Sequence, residues 1–294
     1  ARHRARRVLP GYLVTVLATF AIYTVFTVGE SPGQSWAGLL RYLTLTQIYT
    51  DNFVLTYLHP GLSQMWSLAV EVSFYVVLPA LSYFLLVSVG RRVWRPGLLL
   101  TSIAVLGLIS PAWLLLVHNT DLLPNGARLW LPTYLLWFLA GMVLTVLQAM
   151  GVRCNAFVVL PIAVFSFFIA ATPIAGEPTT SPTGLAQAIV KTVFYAAIAA
   201  LLLAPAALGD DGWYTRFLGS RPMVWLGEIS YEIFLVHLVL MEIAMTFVLH
   251  KQVYTGSMTG LFVVTMALTI PVAWLLHRFT RVRPTRSEEH TSEL

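Results

Sequence analysis

Apolar runs near the length of a membrane-crossing helix recur along the whole chain, broken by short polar punctuation. They predict helices near 8–28, 66–89, 97–117, 130–150, 156–174, 188–208, 229–250 and 258–278. Each run is close to the ~20 apolar residues that cross a hydrocarbon core of ~30 Å. The expected fold is therefore all-α, a polytopic transmembrane bundle of about eight crossings. The stretch 36–58 (WAGLLRYLTLTQIYTDNFVLTYL) reads differently, because Arg41, Gln47, Asp51 and several threonines interrupt it.

Loop charge decides how that stretch is placed, since cytoplasmic loops collect Lys and Arg. If 36–58 does not cross, 14 of the 18 basic residues fall on one side, and only Arg41, Arg128, Lys191 and Lys251 fall on the other. If it does cross, Arg91, Arg92 and Arg95 change sides and the bias largely cancels. The expectation is a re-entrant or interfacial segment on the outer face, with both chain ends cytoplasmic. The loop 175–186 (AGEPTTSPTGLA) has no basic residue and reads as an outer turn. No internal repeat is visible, which argues against a transporter built from duplicated halves.

Composition agrees with this reading. The chain is 57% hydrophobic and 11% charged, outside the range of soluble domains. Its basic excess belongs to membrane loops and requires no nucleic acid. The single cysteine, Cys154, excludes a disulfide framework and a thiolate metal site. Residues 286–294 (RSEEHTSEL) switch composition and resemble read-through translation of a sequencing-library adapter, so the membrane domain is expected over 1–285.

Ionisable residues inside a span are expensive and often mark function. In the helix WSLAVEVSFYVVLP, Ser67, Glu71 and Tyr75 follow one another at four-residue spacing and share a face, with Trp66 at its head. Glu71 is either a catalytic base or acceptor ligand, or one end of a helix-to-helix hydrogen bond. In ISYEIFLVHLVLMEIAM, Ser230, Phe234, His237 and Met241 share a face. His237 is either a general base or donor ligand, or a structural histidine bonded to a neighbouring carbonyl. Glu232 and Glu242 lie on another face of that helix, so Glu71 is the better partner for His237. Arg4, Arg6 and Arg7 stand ahead of the first run, where guanidinium groups either bind a phosphorylated donor or act as an ordinary positive-inside anchor. His118, His250 and His277 fall at span ends and read as interfacial, and His59, before Pro60 and Gly61, reads as lining an acceptor entrance. No phosphate loop, nucleophile elbow or metal-spaced cluster is present in the sequence.

Taken together, these motifs resemble acyltransferase family 3, bacterial inner-membrane proteins that O-acylate cell-surface sugars, peptidoglycan and secreted metabolites. The family's Arg-x-x-Arg-x-x-Pro is similar to Arg4, Arg7 and Pro10, and its Trp-Ser-Leu-x-x-Glu to Trp66, Ser67, Leu68 and Glu71. Its late segment is similar to Arg221, Pro222, Leu226, Gly227, Ser230, Tyr231, Phe234, Leu235 and His237, and its phenylalanine–glycine helix to Phe138, Gly141 and Met142. Two positions depart from the pattern: Val72 stands where a second acid is usual, and Thr280 to Pro284 replace a Glu-Arg-Pro ending.

The resemblance implies a membrane O-acyltransferase, most simply an acetyltransferase, of the bacterial inner membrane. Acyl-CoA is its co-substrate, and it has no bound cofactor or metal. Its partners are the lipid bilayer and an extracytoplasmic carbohydrate acceptor. Arg4, Arg6 and Arg7 would bind the donor, Glu71 and His237 would serve catalysis, and Trp66, Ser67, Tyr75, Ser230 and Tyr231 would line the substrate path. It also implies two further helices ahead of residue 1, carrying an arginine and the histidine regarded as catalytic. The expectation is thus an inactive fragment of a parent with about ten crossings. The rival class is a transporter or flippase in which Glu71, Glu232, His237 and Glu242 relay protons.

Overall fold

A computed structural model describes residues 2–26, 31, 33–50, 58–120, 122–172, 184–250 and 257–280, with the backbone alone for 2–7, 88 and 125. Among the described residues every regular element is helical. We number the helices α1 (Arg2–Ile22), α2 (Trp36–Leu43), α3 (Trp66–Tyr83), α4 (Pro96–Gly107), α5 (Ile109–Asn119), α6 (Leu131–Ala149), α7 (Ala156–Ala171), α8 (Leu185–Ala207), α9 (Trp213–Leu218), α10 (Arg221–Ile243) and α11 (Met258–Thr280). Short 3₁₀ turns, Pro60–Met65 and Asn125–Leu129, lead into α3 and α6.

Six described stretches are long and apolar enough to cross a membrane: Pro60–Val87, Pro96–Asn119, Gly126–Ala149, Leu185–Ala207, Arg221–Val248 and Met258–Thr280. Val8–Ile22 and Ala156–Ala171 are shorter apolar helices. The protein is an all-α, multi-pass membrane protein. Two boundaries differ from expectation for backbone reasons. The run expected at 97–117 is two helices, because Pro111 has no N–H to offer the carbonyl one turn back. Leu108 tightens the joint instead, donating to the Val105 carbonyl at 3.1 Å. The helix expected from 229 begins at Arg221, with Pro222 in the first turn, where a missing N–H costs nothing.

Helix α2 is capped by Ser35, whose Oγ accepts the Gly38 N–H at 3.0 Å. Its eight residues rise about 12 Å, far short of the ~30 Å of hydrocarbon. Leu45 follows at φ 57°, and no helix resumes before Thr50. Residues 51–57 of the expected re-entrant stretch lie outside the described residues, as do most of the outer loop 175–186 and the whole tail 286–294.

The chain folds as two compact units. Unit one takes Ala1–Gln47, Leu55–Trp66 and Val224–Leu294, and unit two takes Ile48–Val54 and Ser67–Met223. In unit one α1 and α10 run parallel. The Tyr231 hydroxyl donates to the Val8 carbonyl at 3.1 Å near one end, and the Tyr23 hydroxyl donates to the Glu242 carboxylate near the other. Helix α11 returns alongside, since Thr280 at its end lies beside Gly11 while its start packs on residues 244–248. Gly61, in the turn before α3, lies against Tyr23 and Val239.

In unit two α6 and α8 run parallel. Trp137 Nε1 donates to the Thr192 carbonyl at 2.9 Å, and Leu144 packs against Ala204 and Leu208. Phe74 of α3 stacks on Phe138 at 4.1 Å between ring centroids, within a core of Leu81, Leu85, Leu99, Ile103, Leu135 and Leu139. Ser110 fastens α5 to α6 by donating to the Pro132 carbonyl at 2.8 Å and accepting from Leu136 N–H at 3.0 Å. Lys191, counted above with the outer basic residues, is buried within α8.

Gly11 and Gly61 of unit one separate packing from backbone freedom. A Cβ on Gly61 would lie 2.8 Å from the Tyr23 hydroxyl and 2.9 Å from Val239 Cγ2, whereas one on Gly11 would meet nothing closer than 3.4 Å. Gly61→Ala should therefore lower stability by about 1–3 kcal/mol through overpacking. Gly11→Ala, inside a helix, should be neutral or gain up to about 1 kcal/mol. Thermal unfolding of the two variants in detergent checks the contrast, and equal shifts would contradict it.

Candidate functional site

The head of α3 presents the polar face expected from the sequence. Trp66 and Ser67 are half-buried at its start, and one and two turns further on stand Glu71 and Tyr75. The four-residue spacing puts the last two side chains together, so that the Tyr75 hydroxyl donates to Glu71 Oε1 at 2.5 Å. A second polar contact fixes the helix nearby: Ser73 Oγ and the Tyr49 hydroxyl lie 2.6 Å apart, and Ser73 donates to the Ala69 carbonyl. Val72, at the position where the resemblance leads one to expect a second acid, is half-buried. Glu71 is thus oriented in part by the Tyr75 phenol of its own helix.

On α10 the predicted residues mostly engage backbone. Ser230 is exposed and donates to the Gly227 carbonyl of its own helix at 2.8 Å. Tyr231 reaches across to Val8. His237 Nδ1 lies 2.8 Å from the Phe234 carbonyl one turn back. Arg4, Arg6 and Arg7 stand on the first turns of α1, and their side chains lie outside the described residues.

Glu232, Glu242 and His277 are paired in ways that the sequence did not reveal. Glu232 Oε1 lies 3.0 Å from His277 Nδ1, joining α10 to α11. His277 is thus not a free interfacial side chain, because the carboxylate facing it from α10 draws its ring inward. Glu242 accepts from Tyr23. Gln64, two residues before the Trp66 motif, reaches the carbonyls of Phe234 and Leu235 at 3.3 and 2.9 Å. Gln47 donates to the Met65 carbonyl at 3.0 Å. A glutamine inside an apolar run was the available signal, and only the fold supplies its partner.

His59 departs furthest from expectation. It has no exposed surface, so it lines no entrance; the Phe20 and Tyr23 rings enclose it at 4.9 and 4.3 Å. Its backbone N–H donates to the Tyr42 hydroxyl at 2.9 Å, and the Tyr12 hydroxyl donates to the Tyr42 carbonyl. Gln34 Nε2 donates to the Phe20 carbonyl at 2.7 Å, which can only accept, so Gln34 Oε1 must face His59. His59 Nε2, 2.9 Å from that oxygen, therefore carries the proton. Burial pushes the imidazole down to about 4 from its ordinary 6.5. Elsewhere, in the loop after α6, burial and then the Asp210 carboxylate push the Cys154 thiol up, away from thiolate reactivity.

A bundle of apolar helices carrying a tyrosine-bonded glutamate and several paired acids defines a class first: a multi-pass membrane protein with chemistry-bearing side chains inside its helices. The sequence profile of the acyltransferase domain that defines acyltransferase family 3 matches residues 1–278. The chain belongs to that family, and the protein is a membrane acyltransferase. Comparison with curated proteins and with solved structures returns no match.

The burial of His59 sets a pH dependence with a definite sign. Between pH 6.5 and about 4 the unfolded chain takes up a proton on His59 that the folded protein refuses. Stability from this group is complete above 6.5 and falls by about 3 kcal/mol as pH drops towards 4. His59→Gln keeps a donor towards Gln34 and has nothing to titrate. Its unfolding midpoint should fall less between pH 7.5 and 4.5 than that of the wild type. Identical slopes would contradict the assignment.

Proposed function

We propose that the protein is an O-acetyltransferase of the bacterial inner membrane, moving an acetyl group from cytoplasmic acyl-CoA to a hydroxyl of an extracytoplasmic cell-surface carbohydrate. The observation that carries this reading is the Glu71–Tyr75 contact, which lies on the helix bearing the family's Trp-Ser-Leu-x-x-Glu pattern. A carboxylate accepts only, and one of its oxygens is already oriented by the phenol. A carboxylate so oriented can take the proton of an acceptor hydroxyl as that oxygen attacks the acyl carbonyl. Arg4, Arg6 and Arg7 suit the phosphates of coenzyme A, because guanidinium binds phosphate through two parallel hydrogen bonds. Trp66, Ser67, Ser230, Tyr231 and His237 remain the residues proposed to line the path.

The proton-relay reading finds less support. Among the described residues Glu232, Glu242 and His237 bond to three different partners, His277, Tyr23 and the Phe234 carbonyl, and no hydrogen bond links them in series.

Substitution at Glu71 tests the proposal. Glu71→Gln keeps size and the Tyr75 bond but cannot take a proton, and should lower acetyl transfer about 100-fold at unchanged membrane insertion. Tyr75→Phe should lower it less, about tenfold. Transfer of labelled acetyl groups by membranes containing each variant is the measurement. Full activity in Glu71→Gln would remove Glu71 from the chemistry.

A further inference from the structure

Unit two carries a row of aromatic rings at the end that holds the head of α3. Trp113 of α5 and Trp130, just ahead of α6, lie 5.9 Å apart between ring centroids, and Tyr49 continues the row at 5.6 Å from Trp130. Hydrogen bonds fix each ring. Trp113 Nε1 donates to the Ala127 carbonyl at 3.0 Å, and Trp130 Nε1 donates to the Ile48 carbonyl at 3.1 Å. Gly126 lets the two segments meet, since a Cβ there would lie 2.9 Å from the Thr50 carbonyl oxygen and 3.0 Å from that of Ile48. Ser73 has one hydroxyl proton and gives it to the Ala69 carbonyl, so the Tyr49 hydroxyl is the donor in its 2.6 Å contact with Ser73.

Rings that serve only to anchor a protein at a membrane interface keep a polar edge towards water and headgroups. Here both indole N–H groups turn inward onto carbonyls, and the Tyr49 hydroxyl turns onto α3. What the row offers outward is ring surface: Tyr49 is 44% exposed, and Trp113 and Trp130 are half-buried. The surroundings are polar nonetheless. His118 Nδ1 lies 2.9 Å from the Leu114 carbonyl, which only accepts, so its Nε2 is a bare acceptor. That atom, Arg128 Nε and Thr133 Oγ1 are buried without a hydrogen-bond partner among the described residues. His118 lies in the last turn of α5, Arg128 in the turn Asn125–Leu129 and Thr133 in the first turn of α6, all at this end. Hydrocarbon satisfies none of them, whereas hydroxyl groups and the water they carry do.

We propose that the row formed by Tyr49, Trp130 and Trp113 seats a pyranose ring of the acceptor, a role that rests on the carbohydrate reading above. A pyranose has a face of C–H bonds, whose slightly positive hydrogens pack on the negative face of an aromatic ring, and a rim of hydroxyl groups. A lipid tail matches the rings alone, and a headgroup matches the polar atoms alone. In the proposed orientation the row lies on the extracytoplasmic side. Ser73, which anchors Tyr49, follows Glu71 by two residues, about 3 Å along the α3 axis and roughly on the opposite side of the helix. The seated ring is therefore a neighbour of the one acetylated, and the acceptor is a chain of sugars rather than a single one.

The test uses the full chain in lipid discs, without acetyl-CoA, and β-linked tetrasaccharides of glucose, mannose, galactose and N-acetylglucosamine. Saturation-transfer NMR should show the wild type passing magnetisation to the ring C–H protons of at least one of them. Tyr49→Ala and Trp113→Leu should each weaken that binding about tenfold. Tyr49→Phe, which keeps the ring, should retain most of it. Binding of no tetrasaccharide by the wild type would overturn the seat. So would equal binding by the wild type, Tyr49→Ala and Trp113→Leu, which would make the row a membrane-interface belt. Transfer of labelled acetyl groups to the tetrasaccharide that binds separates this role from the activity. Transfer with an acceptor KM that Tyr49→Ala leaves unchanged overturns the seat and keeps the activity, whereas binding without transfer keeps the seat and overturns the activity.

Discussion

The rest of the structure depends on the price of a polar group inside an apolar bundle. Each glutamate, glutamine or histidine in these helices costs several kcal/mol unless it is bonded. The described spans meet that requirement in specific ways. Glu71 takes Tyr75, Glu232 takes His277, Glu242 takes Tyr23, and Gln64 takes two carbonyls of α10. These bonds do more than satisfy their own atoms. In unit one the Tyr23–Glu242 and Glu232–His277 bonds set the relative height of α1, α10 and α11, because one ties the end of α1 to α10 and the other ties α10 to α11 at a different level.

Packing cooperates with that pairing. Lipid tails compete equally for any apolar side chain, so helices in a membrane associate through close fit and hydrogen bonding rather than through exclusion of water. Gly61 is a point of close approach in unit one, and the Phe74–Phe138 stack marks one in unit two. The arrangement positions function as a by-product. The bonds that keep acids tolerable in lipid also orient them, as Tyr75 does for Glu71 and His277 for Glu232.

The helices were legible in the sequence because a membrane span is written as length and apolarity, both local properties. The interruption by Arg41 and Gln47 marked 36–58 as different from the other runs, but the short α2 within it was not foreseen. What could not be read was partnership. Glu232 was seen to avoid His237 on its own helix, yet its contact with His277 bridges 45 positions of sequence, and Tyr23 with Glu242 bridges 219. His59 misled because a histidine before Pro-Gly looks like a loop residue. Its burial follows from Phe20, Tyr23 and Gln34 folding over it, which no periodicity records. Four-residue spacing put Glu71 and Tyr75 on one face, and only the fold shows that they bond.

The central claim is that these paired groups serve acyl transfer rather than passage of a solute. Membranes containing the protein, supplied with acetyl-CoA labelled in the acetyl group, test it most directly. The account predicts that label appears in a carbohydrate fraction as an ester released by mild base. Label that stays in acetyl-CoA, together with proton-coupled uptake of a solute by the same membranes, would contradict it.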